Sequence, residues 1–566
     1  MAKFTTSPGV AISETDNTFL TGQPVQAGAA IIGPTVKGPV EVPTLVTSYS
    51  EFQTIFGDTF ISGGNSYSYL TSISAFNYFN YGGTSLLVAR VVTESAAWTS
   101  ATSTTVTNYL DATSSSFSLE TISKGVIMNN SGSETSGSLI SGSADNVRWE
   151  ITNSNTGSGT FNVLIRRGND NNVKKTVLES FNGVNLDPNS PKYIAKVIGD
   201  QTLNYNSSTY QMELSGSYPN NSKYVRVKVT NFTPNYFDSN GVAVSAYTAS
   251  IPINLSGSFK SANGTVNNTI NLYDAISTNT QGLIGASYDN MINLLSNAEQ
   301  YQFNVIFTPG LLNDTHTPQV TNIIANTISR GDSLYVMDLA SFGTSLGGAL
   351  TEAQSRDTSY AATYWPWVRI IDPSTGKHVW APASTVVPGV YAHNDKVSAP
   401  WFAPAGINRG GLGTVLQAEL KLSQGNRDEL YSNNINPIAT LPKNGVVIFG
   451  NKTLQKSASA LDRVNVRRLM IELKGYIRQI ADTVVFEQNT IATRNSFVSR
   501  VTPFLEGIQQ KQGLYAYKVV MDDSNNNPDV IDRNQLIGQI YIQPTRTAEF
   551  ISLDFILQPT GAEFPG

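Results

Sequence analysis

The sequence predicts an α/β and α+β multidomain protein: an α/β core built from both ends of the chain, a β-rich insertion, and extended N- and C-terminal strand arms. Three observations predict it. Short apolar runs bounded by Gly and Pro alternate with helical patterns before residue 93 and again after about residue 271, the rhythm of a partly parallel sheet covered by helices. Between them the chain turns rich in Ser, Thr, Asn and Gly and poor in helix signals. Both ends carry short, breaker-flanked alternating segments, and lone strands of that kind are marginal in water.

Residues 1–20 read as an extended arm, with a turn at Ser7, Pro8 and Gly9 and a weak alternation through Val10, Ile12 and Glu14. Residues 27–32, closed by Gly33 and Pro34, are a buried strand. Residues 44–47 form another, and Ser48 or Ser50 caps a helix that carries Phe52, Ile55 and Phe56. Leu70, Ile73, Phe76, Tyr78 and Phe79 recur at helical spacing before Gly82 and Gly83, and residues 86–92 return as a buried strand. Residues 21–93 therefore make half of an α/β domain. Residues 271–360 complete it, with helices at 287–299 and 318–329 and strands at 303–307 and 334–339.

Residues 94–270 are the insertion, in one part or two. Residues 147–151 and 161–165 predict a hairpin with a long loop over 153–159. In residues 224–229 three valines share one face, and Tyr224, Arg226 and Lys228 share the other.

Residues 361–544 read as a C-terminal α/β core domain. A strand at 365–371 turns at Asp372 and Pro373 and returns at 378–380; residues 410–424 look helical, and 446–449 is a buried strand. The strongest helix spans 464–484, with Val466, Leu469, Met470, Leu473, Ile477, Ile480 and Val484 on one stripe. Gly475 weakens it by about 1 kcal/mol relative to Ala. A helix over 492–508 contains Pro503 and is expected to kink or restart there. Strands at 536–542 and 550–557 are split by Pro544. The second begins at Phe550, places Ile551, Leu553, Phe555 and Leu557 on one face, and belongs to a C-terminal arm, 545–566.

Composition narrows the function classes. Charged residues make up 14 % of the chain, below the roughly 25 % usual for soluble domains, a neutral polar mix common in assembled structural proteins. A net charge of −5 offers no global positive field for nucleic acid. Without cysteine, neither disulfides nor thiolate chemistry contribute. The start lacks an apolar leader and no run approaches a membrane span, so the chain is expected in the cytoplasm when made, without membrane insertion.

The motifs that could carry chemistry are thin. Gly343-Thr-Ser-Leu-Gly347 has the Gly-x-Ser-x-Gly form, and Asp357 and His378 or His393 follow in a permissible order. Ser341 and Phe342 separate it from the preceding strand, however, and a loop is expected. The histidines, His316, His378 and His393, form no metal-binding face. The Asp-rich stretch 522–529 lacks the sixth-position glycine and twelfth-position acid of a calcium loop. No phosphate-binding loop occurs, so no cofactor and no nucleotide-driven motor are expected.

Several separated segments occur in one recognisable order: Tyr364-Trp-Pro-Trp-Val368, Asp372-Pro-Ser-Thr-Gly-Lys-His-Val-Trp380, Val387-Pro-Gly-Val-Tyr-Ala392 and Trp401-Phe-Ala-Pro-Ala-Gly-Ile-Asn-Arg-Gly410. Asn436-Pro-Ile438, Asn465-Val-Arg-Arg-Leu469 and Val530-Ile-Asp-Arg-Asn534 follow, while Ser7-Pro-Gly-Val10, Gly33-Pro-Thr-Val-Lys-Gly-Pro39 and Thr47-Ser-Tyr-Ser-Glu-Phe52 lie near the start. In this ordered set the chain resembles the contractile tail sheath family of bacteriophages, over 1–93 and 280–566. The resemblance implies a structural virion protein, assembled in the host cytoplasm, and not an enzyme. It implies homopolymeric six-fold rings stacked around a tail tube protein, with baseplate and tail terminator proteins as further partners. Contraction would drive the tube through the host envelope, the insertion facing outward and the arms adding strands to neighbours' sheets. Rival readings are the sheath of a cell-encoded injection device, a β-rich adhesin and a serine hydrolase.

One charged feature adds to this. At about 100° per residue, Arg463, Arg467, Lys474 and Arg478 fall within roughly 60° of one helix circumference, about 100° from the apolar stripe. They are expected to face out. A solvated face, a contact to an acidic tube surface and a nucleic-acid site are the three readings, and no aromatic platform supports the last.

Overall fold

The computed structural model describes residues 25–62, 64–111, 114–133, 137–265 and 279–551. At its centre is an eight-stranded sheet. Its order is Thr44–Val46, Leu86–Arg90, Val25–Gly33, Tyr301–Leu312, Leu334–Asp338, Ala361–Trp365, Asn436–Leu441 and Gly445–Ile448. The six inner strands run parallel, and the two edge strands are antiparallel. Ala29 and Ile31 enter an apolar cluster with Phe52, Ile73 and Val387, whereas Ala30 and Ile32 enter another with Met291, Ile323 and Leu430. Successive side chains of a strand point to opposite faces, and here both faces are covered by helices. That is why these strands read as continuous apolar runs.

Helices Tyr49–Phe56, Leu70–Asn80 and Val387–Val397 contribute to the first cluster; Asp289–Leu294, Thr317–Arg330 and Gln424–Ser432 contribute to the second. Ser48 caps the first helix, its hydroxyl accepting the Glu51 amide at 3.2 Å.

Between Leu86–Arg90 and Tyr301–Leu312 the chain forms two four-stranded antiparallel sheets. One is Val177–Asn185, Thr160–Arg167, Val147–Asn155 and Leu255–Gly257; the other is Val225–Val229, Phe117–Lys124, Ser100–Ser103 and Phe259–Lys260. A single apolar cluster including Phe117, Trp149, Phe161 and Val225 joins them, so the β-rich insertion has one main core. Its root is polar. Arg90, fully buried, donates to the carbonyls of Gly38 (2.6 Å), Lys124 (3.2 Å) and Val36 (3.5 Å), and its guanidinium lies 5.0 Å from the Trp98 ring centroid. Lys37 pairs with Asp145 at 3.2 Å beside it.

Past the main sheet, helices Val464–Asp482 and Ile491–Gln510 pack with the hairpin Leu514–Val520/Gln539–Pro544 around Leu469, Leu473, Val501, Leu505 and Leu514.

Four expectations are corrected. The division placed at residue 360 cuts through one sheet, because Leu334–Asp338 and Ala361–Trp365 are hydrogen-bonded neighbours. Residues 410–424 are not a helix: a short helix Gly406–Arg409 precedes strand Val415–Ala418, which pairs with Val368–Ile371. Gly410, Gly411 and Gly413 disfavour helix there, and the open edge of Val368–Ile371 rewards extension. The helix expected to kink or restart at Pro503 does not restart: it runs unbroken over Ile491–Gln510, with Pro503 on the exposed side while Val501, Leu505 and Ile508 are buried. The hairpin loop at 153–159 is shorter than expected, with strands reaching Asn155 and resuming at Thr160.

Candidate functional site

The parallel strands follow the spatial order second, first, third, fourth, fifth and sixth, so the topology reverses between Val25–Gly33 and Tyr301–Leu312. Sheets of this kind bind ligands in the crevice outside the carboxyl ends at that point. Gln281 binds at the carboxyl end of Tyr301–Leu312. Its Oε1 accepts the amide of Leu70 at 2.7 Å and its Nε2 donates to the Pro309 carbonyl at 3.0 Å, with the side chain fully buried. The helix Leu70–Asn80 has no capping side chain of its own at Tyr69, and Gln281 supplies the acceptor.

The Gly-x-Ser-x-Gly string is also accounted for. Ser345 is the N-cap of helix Leu346–Gln354, its hydroxyl accepting the Gly348 amide at 3.3 Å. Among the described residues no histidine hydrogen-bonds to Ser345. Asp357 accepts from the Lys456 amide, and His393 packs edge-on to Tyr81. His378 is an exposed strand residue opposite Ile371. Asp522 folds back on the Ser524 amide at 2.9 Å, making the Asp-rich stretch a turn. Among the described residues no group of three His, Cys, Asp or Glu is placed to hold a metal, and no helix is long and apolar enough to cross a membrane.

The basic stripe divides. Arg467 does not face out: it is 4 % exposed, stacked 4.0 Å over Tyr360, and bonded to the carbonyl and hydroxyl of Ser359. Burial lowers its pKa, opposed by Tyr360. Lys474 reaches the Tyr360 hydroxyl at 3.3 Å. Arg463 pairs with Glu549 at 2.7 Å and Asp462 at 3.0 Å. Burial would lower its pKa, but the Glu549 hydrogen bond and nearby groups raise it on balance. Arg478 lines a cleft of about 730 Å³ with Glu299, Asp332, Glu472 and Asp482. It alone of the four has no side-chain partner among the described residues. The adjacent Arg468, outside the stripe, is bound to Asp395 at 2.6 Å over the Tyr391 ring.

The C-terminal hairpin presents a different kind of feature. Neither Leu514–Val520 nor Gln539–Pro544 pairs with a third strand among the described residues, and Tyr515 and Tyr541 are exposed on it. After it the chain is held at Thr545, whose amide donates to Gly513 and whose hydroxyl donates to Gln512. It is held again at Glu549, which accepts from Tyr431 and Arg463 at 2.7 Å each. Beyond that, Phe550 and Ile551 stand 83 % and 77 % exposed. Of the other residues assigned to the arms, Val10, Ile12, Leu553, Phe555 and Leu557 lie outside the described residues.

Sequence reasoning missed Gln281, Glu549 and the open hairpin edges. The hairpin had a signal, the aromatic and β-branched run of residues 514–520 ahead of the turn-forming stretch 522–527. Gln281 had none, because its partners are remote in sequence.

Comparison with known proteins finds matches to one family in the second half of the chain. Residues 285–454 match the phage tail sheath protein central domain, and residues 456–558 match the phage tail sheath C-terminal domain. The chain is 38 % identical to the tail sheath protein of Vibrio phage KVP40 over 218 residues, 38 % of this chain and 32 % of that protein. It is 36 % identical to the tail sheath protein of Enterobacteria phage T4 over 229 residues, 40 % of this chain and 35 % of that protein. The chain thus spans about a third of the length of these curated relatives. The crystal structure of a sheath tail protein from Listeria innocua aligns with a TM-score of 0.51 at 9 % identity, covering 92 % of this chain and 96 % of that one. That likeness concerns the fold alone.

Proposed function

We propose, for a chain whose residues 285–454 and 456–558 match the central and C-terminal domains of phage tail sheath proteins, that it is a structural subunit of a contractile viral tail sheath and not an enzyme. In this reading copies of the chain polymerise as six-fold rings around a tail tube protein, between baseplate and tail terminator proteins, in a virion assembled in the host cytoplasm. The insertion faces outward, and contraction drives the tube through the host envelope.

One observation carries the reading furthest. The hairpin Leu514–Val520/Gln539–Pro544 leaves strand edges without a partner among the described residues, and the sequence that follows it alternates Ile551, Leu553, Phe555 and Leu557 with other residues. An extended segment gains backbone hydrogen bonds and buries alternate side chains when it joins such an edge. Donated head to tail between copies, the exchange does not close on a dimer and propagates into rings or a helix. The Val10 and Ile12 segment would act in the same way at the other end. With no phosphate-binding loop in the sequence, the energy of contraction is assigned to two packings of the polymer that differ in free energy per subunit.

The test is electron microscopy of the purified chain at high concentration, beside a chain ending at Pro544. Striated hollow cylinders from the full chain, and a folded monomer from the shortened one, are expected. Cylinders from the shortened chain would remove the C-terminal arm from the mechanism. A full chain that stays monomeric at all concentrations, alone and with a tube, would overturn the sheath reading.

A further inference from the structure

We propose that Glu549 is a latch that sets where the C-terminal segment leaves the body of the subunit, and therefore how far that segment reaches; this rests on the reading that the segment links subunits. Glu549 is the last residue of the chain tied down by its side chain among the described residues. Its carboxylate takes three donors: the Tyr431 hydroxyl and Arg463 Nε at 2.7 Å, and the Thr547 hydroxyl at 3.3 Å. Its side chain is 17 % exposed, and Lys452 and Arg463 lie 4.6 and 6.0 Å from the Tyr431 ring centroid, so a carboxylate removed from this place leaves Asp462 as the remaining acid paired with Arg463. The exposure of Phe550 immediately afterwards makes the change abrupt. The chain is pinned at Glu549 and exposed at the next two residues.

The geometry makes the latch a length control. With Glu549 held, the tether starts at Phe550. With it released, the next tie is Thr545 on Gly513 and Gln512. Residues 546–549 then join the tether and add about 13 Å. The two ties are of different kinds. Thr545 is held by neutral hydrogen bonds, whereas Glu549 is held by a charge-assisted one that is stronger when formed and weakened by competing ions at its partly exposed face. A polymer whose subunits change separation while remaining connected needs an adjustable tether, and this one has two settings.

Arg546 lies on the surface between the two ties, which gives a direct readout by trypsin. In full-length protein kept dilute enough to be monomeric, release of residues 547–566 is followed by mass spectrometry. Glu549→Ala is expected to be cut at Arg546 about tenfold faster than the parent, the factor that about 1.4 kcal/mol of lost latch represents when cleavage tracks the open form. Arg463→Met is expected to behave alike, and the exchanged pair Glu549→Arg with Arg463→Glu to return towards the parent rate. Equal rates in the parent and Glu549→Ala overturn the latch. The axial repeat of cylinders formed by Glu549→Ala is then measured; an altered repeat supports length control, and an unchanged repeat with fast cleavage overturns it. Cylinders from a chain ending at Pro544 would instead overturn the subunit-linking reading, leaving the protease result to stand by itself.

Discussion

Gln281 supplies the hydrogen-bond acceptor for Leu70 across 211 residues of sequence, capping a core helix from the far end of the insertion. The same side chain binds Pro309, so it ties that helix to the end of strand Tyr301–Leu312. Gln281→Ala leaves the Leu70 amide and the Pro309 carbonyl buried without partners. A loss of about 2–4 kcal/mol is expected by urea unfolding. A loss below about 0.5 kcal/mol would mean that water replaces the side chain.

The root of the insertion depends on Arg90. Burial lowers its pKa to about 9, so the guanidinium stays charged at neutral pH and needs its three carbonyls. Arg90→Met is expected to cost about 3 kcal/mol in the full chain. Replacing residues 94–270 by a Gly/Ser linker removes Lys124 and Trp98 from around it, and should leave a core that unfolds cooperatively but is less stable. In that shortened chain Arg90→Met should cost distinctly less. An equal cost in both backgrounds would show that the insertion does not lean on Arg90.

Asp338 predicts a pH dependence. It is almost fully buried at the end of Leu334–Asp338, accepting from the Ser384 amide and hydroxyl and the Gly310 amide, with no cation paired to it among the described residues. Burial raises its pKa to about 7, against the lowering effect of those hydrogen bonds. The folded state therefore holds a proton that the unfolded chain releases between about pH 4 and pH 7. Stability from this group is greatest at low pH and falls as pH rises through that window. Asp338→Asn should flatten the wild-type decline between about pH 4 and pH 7, measured as urea midpoints. Parallel profiles for the two proteins would remove Asp338 as the cause.

Two members of the basic stripe should behave differently. Arg467→Glu places a carboxylate against Ser359 and Tyr360 in a buried site, and about 3 kcal/mol or more of stability should be lost before any partner is considered. Arg478→Glu should leave the melting temperature within about 2 °C. If the stripe touches an acidic tube, Arg478→Glu weakens assembly on the tube while self-polymerisation is retained. Unchanged tube binding assigns Arg478 to solvent.

Ser345→Ala removes an N-cap and should cost about 1 kcal/mol, with Ser345→Asp close to the parent in urea. Esterase activity lost with this substitution would reopen the hydrolase reading. None is expected.

The sequence by itself determined the elements whose cause is local. The runs at 27–32 and 86–92 are apolar without alternation because both faces of their sheet are covered, and Val464–Asp482 carries its stripe at the helical period because one side packs on a core. The ordered family segments were legible in the same way, being contiguous in sequence. Tertiary structure alone decided the rest. A helical wheel fixes the angle of Arg467 about its own axis but says nothing of Tyr360, which covers that side. Residues 415–418 became a strand because the Val368–Ile371 edge was free, a fact no window of local sequence contains. Gln281, Arg90 and Glu549 act through carbonyls, amides and side chains 28 to 211 residues away, and hydrogen bonds to such partners leave no periodic trace in the chain.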